Sequence, residues 1–309
     1  MEAEARGAHE PRRARHTGRP RRSLWPYAFV LPTLAMLGLV FAYPLVTVVR
    51  DSFYAGSPSQ LVWVGGANYR NVLHDPVFLR SLGNNLRLLV TVPVMTALAL
   101  AIALFLNEGI RGWRQYRAVV FLPYVLPATA IGLSFSYLLQ RNGVLNTILR
   151  DLGLGAFALD WLGSAKVVMA SIGGVVIWQQ LGFGVVVFTA ALLALPREVT
   201  EAALIDGAGW WQLQRRVILP QIRGIIEFFM VLQAITVLSW VFNYVYVLTG
   251  GGPGDASSVM EFYIWKYGFS LGSVGVAATV AVLLLGMAGI LIFVYFRLRV
   301  RHAEGGAGA

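Results

Sequence analysis

Inside an apolar stretch from Ile225 to Leu248, the residues Gln233, Thr236, Trp240, Asn243, Tyr244 and Val247 recur at steps of three and four, which places them along one face of a helix. Amides, a hydroxyl and aromatic rings sharing a face supply hydrogen bonds and stacking surfaces, the two things a hydroxyl-rich solute needs. A second apolar stretch adds Gln179, Gln180 and Phe183. Polar side chains at such positions also serve helix-to-helix hydrogen bonding. Gln179, Gln233, Trp240, Asn243 and Tyr244 are the candidate contacts of a solute path.

Bond-making chemistry has no comparable set. The sequence contains no Gly-x-x-x-x-Gly-Lys-Ser/Thr segment, so it has no P-loop to cradle ATP phosphates. His9, His16, His74 and His302 lack ligand spacing, and there is no cysteine to act as thiolate ligand or nucleophile. No catalytic residue, metal or cofactor is expected of this chain. Glu227 is the clearest acid within an apolar run, and Arg223 one turn before it makes an i, i+4 ion pair the natural reading. No Lys or Arg stands mid-run, so no buried cationic pocket for a phosphate group is visible, which favours a neutral solute.

The elements that carry these residues belong in a bilayer. Of 309 residues, 57% are hydrophobic and 13% charged, a balance a soluble domain does not need. Six runs are long enough to cross a hydrocarbon core: Pro26–Val49, Asn85–Leu106, Ala118–Leu139, Val167–Leu195, Ile225–Leu248 and Val274–Phe296. The first is too long for the apolar part of a cleaved leader and is read as an uncleaved span. The expected fold is all-α and polytopic, with six transmembrane helices. With both termini inside, 17 of the 25 Lys and Arg fall in the tails and inner loops and the other eight outside, as the positive-inside rule demands. Arg12, Arg13, Arg15, Arg19, Arg21 and Arg22 cluster just before the first span, where they meet anionic lipid rather than nucleic acid. The divisions are a cytoplasmic Arg-rich tail (1–23), a transmembrane domain (24–299, core bundle about 82–298) and a cytoplasmic tail (300–309). Pro93, Pro123 and Pro127 predict kinks in the second and third spans, and Gly173, Gly174, Gly182 and Gly184 predict a bent or interrupted fourth.

Between the fourth and fifth spans lies EAALIDGAGWWQLQRRVILP, Glu201 to Pro220. Pro196 suits a first helical turn, Glu198 and Glu201 suit its positive dipole end, and Gly207 suits the exit from a helix. A second short helix is expected to end at Leu219-Pro220. Two short helices around a glycine corner make a compact knob, and Ala202, Ala203 and Ala208 let another protein approach it closely.

Glu201-Ala202-Ala203, Gly207, Val217, Leu219 and Pro220 stand in the register of the cytoplasmic coupling loop of ABC-transporter permeases, which this segment resembles; Val217 replaces the usual Ile. Over Leu24 to Arg299 the chain is similar to the carbohydrate-uptake branch, the maltose and glycerol-phosphate type. Leu31-Pro32, Tyr43-Pro44, Gly66, Asn68-Tyr69, Phe121-Leu122-Pro123, Asp206-Gly207-Ala208, Thr249-Gly250-Gly251-Gly252-Pro253 and Phe262-Tyr263-Ile264-Trp265 carry that likeness. The glycine run reads as a flexible outer turn able to meet a delivering protein. The resemblance implies an ATP-driven importer in the bacterial inner membrane, with a sugar or oligosaccharide as solute. Its implied partners are a second related permease, a cytoplasmic ATPase dimer that uses ATP and Mg, and an extracytoplasmic solute-binding protein. Glu201, Ala202, Ala203, Asp206, Gly207, Ala208, Leu219 and Pro220 are then the ATPase-coupling residues. A permease for a glycerophosphodiester or glycerol phosphate is the alternative within the family. An ion-coupled carrier requires acids in mid-span, and a membrane enzyme requires convergent carboxylates or histidines.

Overall fold

Proline and glycine placement decides where the long apolar runs stay straight and where they turn. The computed structural model describes residues 25–57, 59–107 and 113–306; the Arg-rich tail, residues 1–23, lies outside them. The chain divides into two compact units, residues 1–46 and 47–309. The first holds α1 (Trp25–Leu37) and a π-helical turn (Gly38–Ala42), and α2 (Tyr43–Asp51) follows, with residues 47–51 in the second. Phe29–Asp51 is long and apolar enough to cross a membrane. Its Phe29, Leu31, Leu39 and Phe41 are exposed, as lipid tolerates and water does not.

The second unit continues with an antiparallel hairpin of β1 (Tyr54–Ser57) and β2 (Gln60–Trp63), Tyr54 facing Trp63. Then come α3 (Ala67–His74), α4 (Pro76–Leu88), α5 (Thr91–Asn107), α6 (Trp113–Val125), α7 (Ala128–Leu138), α8 (Val144–Asp151) and α9 (Val168–Leu193). After these follow α10 (Arg197–Ile205), α11 (Trp210–Gln212), α12 (Leu219–Trp240), α13 (Phe242–Leu248), α14 (Met260–Trp265) and α15 (Val274–Gly306). The core forms where α5 and α9 pack along one another, around Met95, Ala99, Ile172, Val185 and Phe188, with Phe229 of α12 closing against them.

Among the described residues five helices are long and apolar enough to cross a bilayer, and six if a bent pair counts as one. The bent pair is the third run: Gln115–Val125 and Ala128–Leu138 meet at 96°. Pro123 sits inside α6 without ending it. Pro127 makes the break, because it lacks an N–H and its ring drives Leu126 out of the helical region. In the second run, Pro93 lies in the first turn of α5 and the interruption falls at Leu89-Val90, where the proline ring would meet the carbonyl four residues back.

The expected interruption of the fourth run is absent: α9 is continuous over 26 residues. Its glycines serve close packing instead. A Cβ on Gly182 would run into the Val120 carbonyl, and one on Gly184 would lie 2.7 Å from Ala99 Cβ and 2.8 Å from Phe229 Cζ. The bare backbone lets α5, α6 and α12 approach α9.

Local polar groups pin the loops. Asp75 caps α4 by accepting from Val77 N at 2.8 Å, with Pro76 at the first helical position. Asn68 Nδ2 donates to the Ser52 and Tyr54 carbonyls at 2.9 and 2.7 Å, and Thr279 Oγ1 of α15 donates to Ser52 O at 3.1 Å. The glycine run after α13, read as flexible, is held: Ser257 Oγ donates to Gly252 O at 2.6 Å and lies 2.8 Å from Thr249 Oγ1.

Candidate functional site

The 96° bend, α9, α12 and α13 surround a cavity of about 430 Å³. The bend contributes Tyr124, Leu126, Pro127 and Ala128; α9 contributes Gln179, Gln180 and Phe183; α12 and α13 contribute Leu232, Gln233, Thr236, Trp240 and Tyr244. Breaking the helix at Pro127 leaves the Leu126 carbonyl without a helical donor, and Gln179 Nε2 takes that role at 2.9 Å. Two buried amide atoms then remain without a protein partner: Gln179 Oε1, an acceptor, and Gln233 Nε2, a donor. An unpaired buried polar atom costs roughly 1–3 kcal/mol, so a hydroxyl or water that satisfies it binds with that advantage. Tyr124 stacks on Phe183 at 5.0 Å and 15°, while the aromatic column continues through Phe229 (5.9 Å) to Phe188 (4.9 Å). Trp240 keeps 63% of its surface accessible. None of the lining residues is charged, so the cavity offers no counter-charge to an anion.

Four of the five sequence candidates, Gln179, Gln233, Trp240 and Tyr244, line this cavity, together with Thr236, Gln180 and Phe183. Asn243 and Val247 do not. Gln233, Thr236, Trp240 and Tyr244 keep one face across Val241, whose φ −67° and ψ −21° remain helical, whereas Asn243, one residue before Tyr244, lies about 100° around the helix from it. Val247 packs against α7, where a Cβ on Gly132 would lie 2.9 Å from its Cγ1. Tyr124, Leu126 and Ala128 were missed because only the bend turns them inward; Pro127 was their one signal.

The segment Glu201–Pro220 forms a different feature. Pro196 caps α10 rather than opening it, and Glu198 sits in the first turn. Glu201 lies a turn too far along to meet the free N–H groups, which corrects the expected dipole role. Its side chain instead lines a cleft of about 320 Å³ with Asn107, Arg197, Thr200 and Ile218. The end of α10 closes as a Schellman cap: Gly207 has φ +80°, its N–H donates to Leu204 O at 3.1 Å, and Ala208 N–H donates to Ala203 O at 3.0 Å. Asp206 is the preceding cap residue. No separate second helix ends at Leu219-Pro220. From Trp210 the chain runs through a π-helical stretch, Leu213–Ile218, directly into α12, whose first turn accommodates Pro220. Ile205 and Trp211 project 85% and 78% exposed from this knob. Arg223 Nε pairs with Glu227 Oε1 at 2.6 Å, as the i, i+4 spacing implies. Among the described residues no three of His, Cys, Asp and Glu group to hold a metal.

Comparison with known proteins bears on the same residues. Residues 94–302 match the family model described as a binding-protein-dependent transport system inner membrane component. A probable ABC transporter permease of Pyrococcus horikoshii is 31% identical over 272 residues, covering 86% of this chain and 92% of that protein. The diacetylchitobiose uptake system permease NgcF of Streptomyces coelicolor is 31% identical over 321 residues, covering 97% and 90%. The fold matches a crystal structure of a bacterial alginate ABC transporter in complex with an alginate pentasaccharide-bound periplasmic protein. The TM-score is 0.79 at 21% identity, over 90% of this chain and 95% of that one.

Proposed function

The chain belongs to the family of binding-protein-dependent transport system inner membrane components, the membrane-spanning permeases of ABC importers, and on that footing we propose that its cavity carries an uncharged sugar or oligosaccharide. It is a multi-span permease subunit and not itself an enzyme. The observation that carries the sugar reading is the cavity's chemistry: an orphaned acceptor and donor, Gln179 Oε1 and Gln233 Nε2, between aromatic faces with no charge. Sugars present alternating hydroxyls for the first and apolar ring faces for the second. The absence of a cation among the lining residues speaks against a glycerol phosphate. The named uptake of diacetylchitobiose by one relative agrees with a saccharide.

In this reading the permease pairs with a second, related permease and receives solute from an extracytoplasmic binding protein. A cytoplasmic ATPase dimer drives it with ATP and Mg. Both termini face the cytoplasm. The knob of α10 and its glycine corner, Glu201, Ala202, Ala203, Asp206, Gly207 and Ala208, docks the ATPase through the exposed Ile205 and Trp211, and Leu219-Pro220 leads the motion into α12. Because α12 also carries Gln233 and Trp240, a displacement at the knob moves one wall of the cavity.

Uptake in vesicles reconstituted with the ATPase and binding protein tests the path. Trp240→Ala and Gln233→Leu each remove a stacking face or an amide, worth on the order of 1 kcal/mol or more, and are expected to cut uptake severalfold with assembly intact. Asn243→Ala, off the cavity, is expected to transport normally. Unimpaired uptake by both cavity variants removes this cavity from the path.

A further inference from the structure

The loop that joins α13 to α14 is stapled to α4 by consecutive turns of that helix. Arg80 Nη1 donates to Gly254 O at 2.7 Å, Ser81 Oγ donates to Ser258 Oγ at 2.9 Å, and Asn84 Nδ2 donates to Ala256 O and Ser258 O, both at 2.8 Å. Asn85 completes the row. Its Oδ1 accepts from Met260 N at 2.8 Å, which fixes the amide so that Nδ2 points to Glu261 Oε2 at 3.0 Å. The other carboxyl oxygen, Glu261 Oε1, is buried and has no partner, although the residue as a whole is only half-buried.

A carboxylate needs donors on both oxygens, and a buried one with a single side-chain donor is poorly compensated; a neutral carboxyl in the same place loses far less. We propose that Glu261 is a positioning residue that in its protonated form ties the start of α14 to α4, and that loss of its proton loosens the stapled loop 249–261.

The surrounding charges do not supply the missing compensation. On α4, Arg80 is committed to Gly254 O and Arg87 to Asn84 Oδ1 at 3.2 Å. On the π-helical turn Lys266–Ser270 that follows α14, Lys266 pairs with Asp255 at 3.2 Å. Tyr267 and Tyr263 both donate to Asp75 Oδ2, at 3.4 and 2.6 Å. α13 brings only Tyr244 and Tyr246, and the first titratable group on α15, Tyr295, lies about 30 Å along that helix from Val274. Burial accordingly raises the Glu261 carboxyl from 4.5 to about 7, against the opposing effects of the Asn85 and backbone hydrogen bonds. Because the folded value lies above the unfolded one, the proton-linked stability is complete below pH 4.5. It is lost progressively as pH rises from there to about 7, and is gone above that.

The test is amide hydrogen exchange of residues 254–261 in the full chain in nanodiscs, at pH 5, 6, 7 and 8, corrected for intrinsic exchange. Wild type is expected to lose protection on the order of tenfold or more between pH 5 and 8. Glu261→Gln keeps the Asn85 bond and carries no proton to lose, so its protection should stay flat at the low-pH level. Asn85→Ala should be loose throughout. A wild-type profile as flat as that of Glu261→Gln, or a Glu261→Gln profile that falls in parallel with wild type, overturns the proposal. This measurement needs no solute or ATPase, so its outcome is independent of the transport reading.

Discussion

Replacing Gly207 isolates backbone geometry from bulk at the proposed docking knob. The residue has φ +80°, and a Cβ built there meets nothing within 4 Å. A side chain therefore collides with no neighbour, and its whole cost is the left-handed backbone. For an L-residue that cost is roughly 1–2 kcal/mol, highest for β-branched side chains, and asparagine is the residue that tolerates the region best. If the corner relaxes out of this conformation, the Gly207 and Ala208 hydrogen bonds to Leu204 O and Ala203 O go with it. Gly207→Val is then expected to weaken ATPase binding about 5- to 30-fold, the factor that 1–2 kcal/mol represents, while Gly207→Asn stays near wild type. Titration of purified ATPase against the permease in nanodiscs, read as Kd, measures it. Wild-type affinity for Gly207→Val refutes the need for the corner. Equal loss by Val and Asn refutes the strain argument and assigns the effect to side-chain volume in the ATPase cleft.

The other expectations concern packing and topology. Gly184→Val should push α9 away from Ala99 and Phe229 and destabilise the bundle by about 1–3 kcal/mol, whereas Gly174→Ala, whose Cβ meets nothing within 4 Å, should melt like wild type in a thermal unfolding assay. In intact cells an impermeant thiol reagent should leave a cysteine at Ala208 unlabelled and modify one at Ala156; the native chain contributes no cysteine background. The reverse pattern inverts the proposed orientation.

Hydropathy, charge bias and punctuation residues were enough to establish a polytopic helical protein, because lipid forces the backbone to satisfy itself within long apolar helices and the period of those runs is visible residue by residue. Local chemistry was legible for the same reason. Pro196 and Gly207 mark the limits of α10, and Arg223 with Glu227 forms the pair its spacing implies. What depends on two segments meeting was not legible. The glycines of α9 look like breaks in one dimension and prove to be contact points, since only the neighbours Ala99, Val120 and Phe229 show what a side chain would strike. Of the polar stripe, Gln233, Thr236, Trp240 and Tyr244 meet at the cavity, whereas Asn243, about 100° around the helix from Tyr244, does not. Pro127 announced a bend, but not its 96°, nor that the freed Leu126 carbonyl would claim Gln179 and leave the opposite atom of that amide unpaired. Glu261 drew no notice in the sequence, because one acid near a helix start is ordinary. Burial against Asn85 of α4, far away along the chain, makes it otherwise. Periodicity and caps act within a few residues, whereas burial, unpaired atoms and cavity walls are properties of segments brought together, and only the fold supplies them.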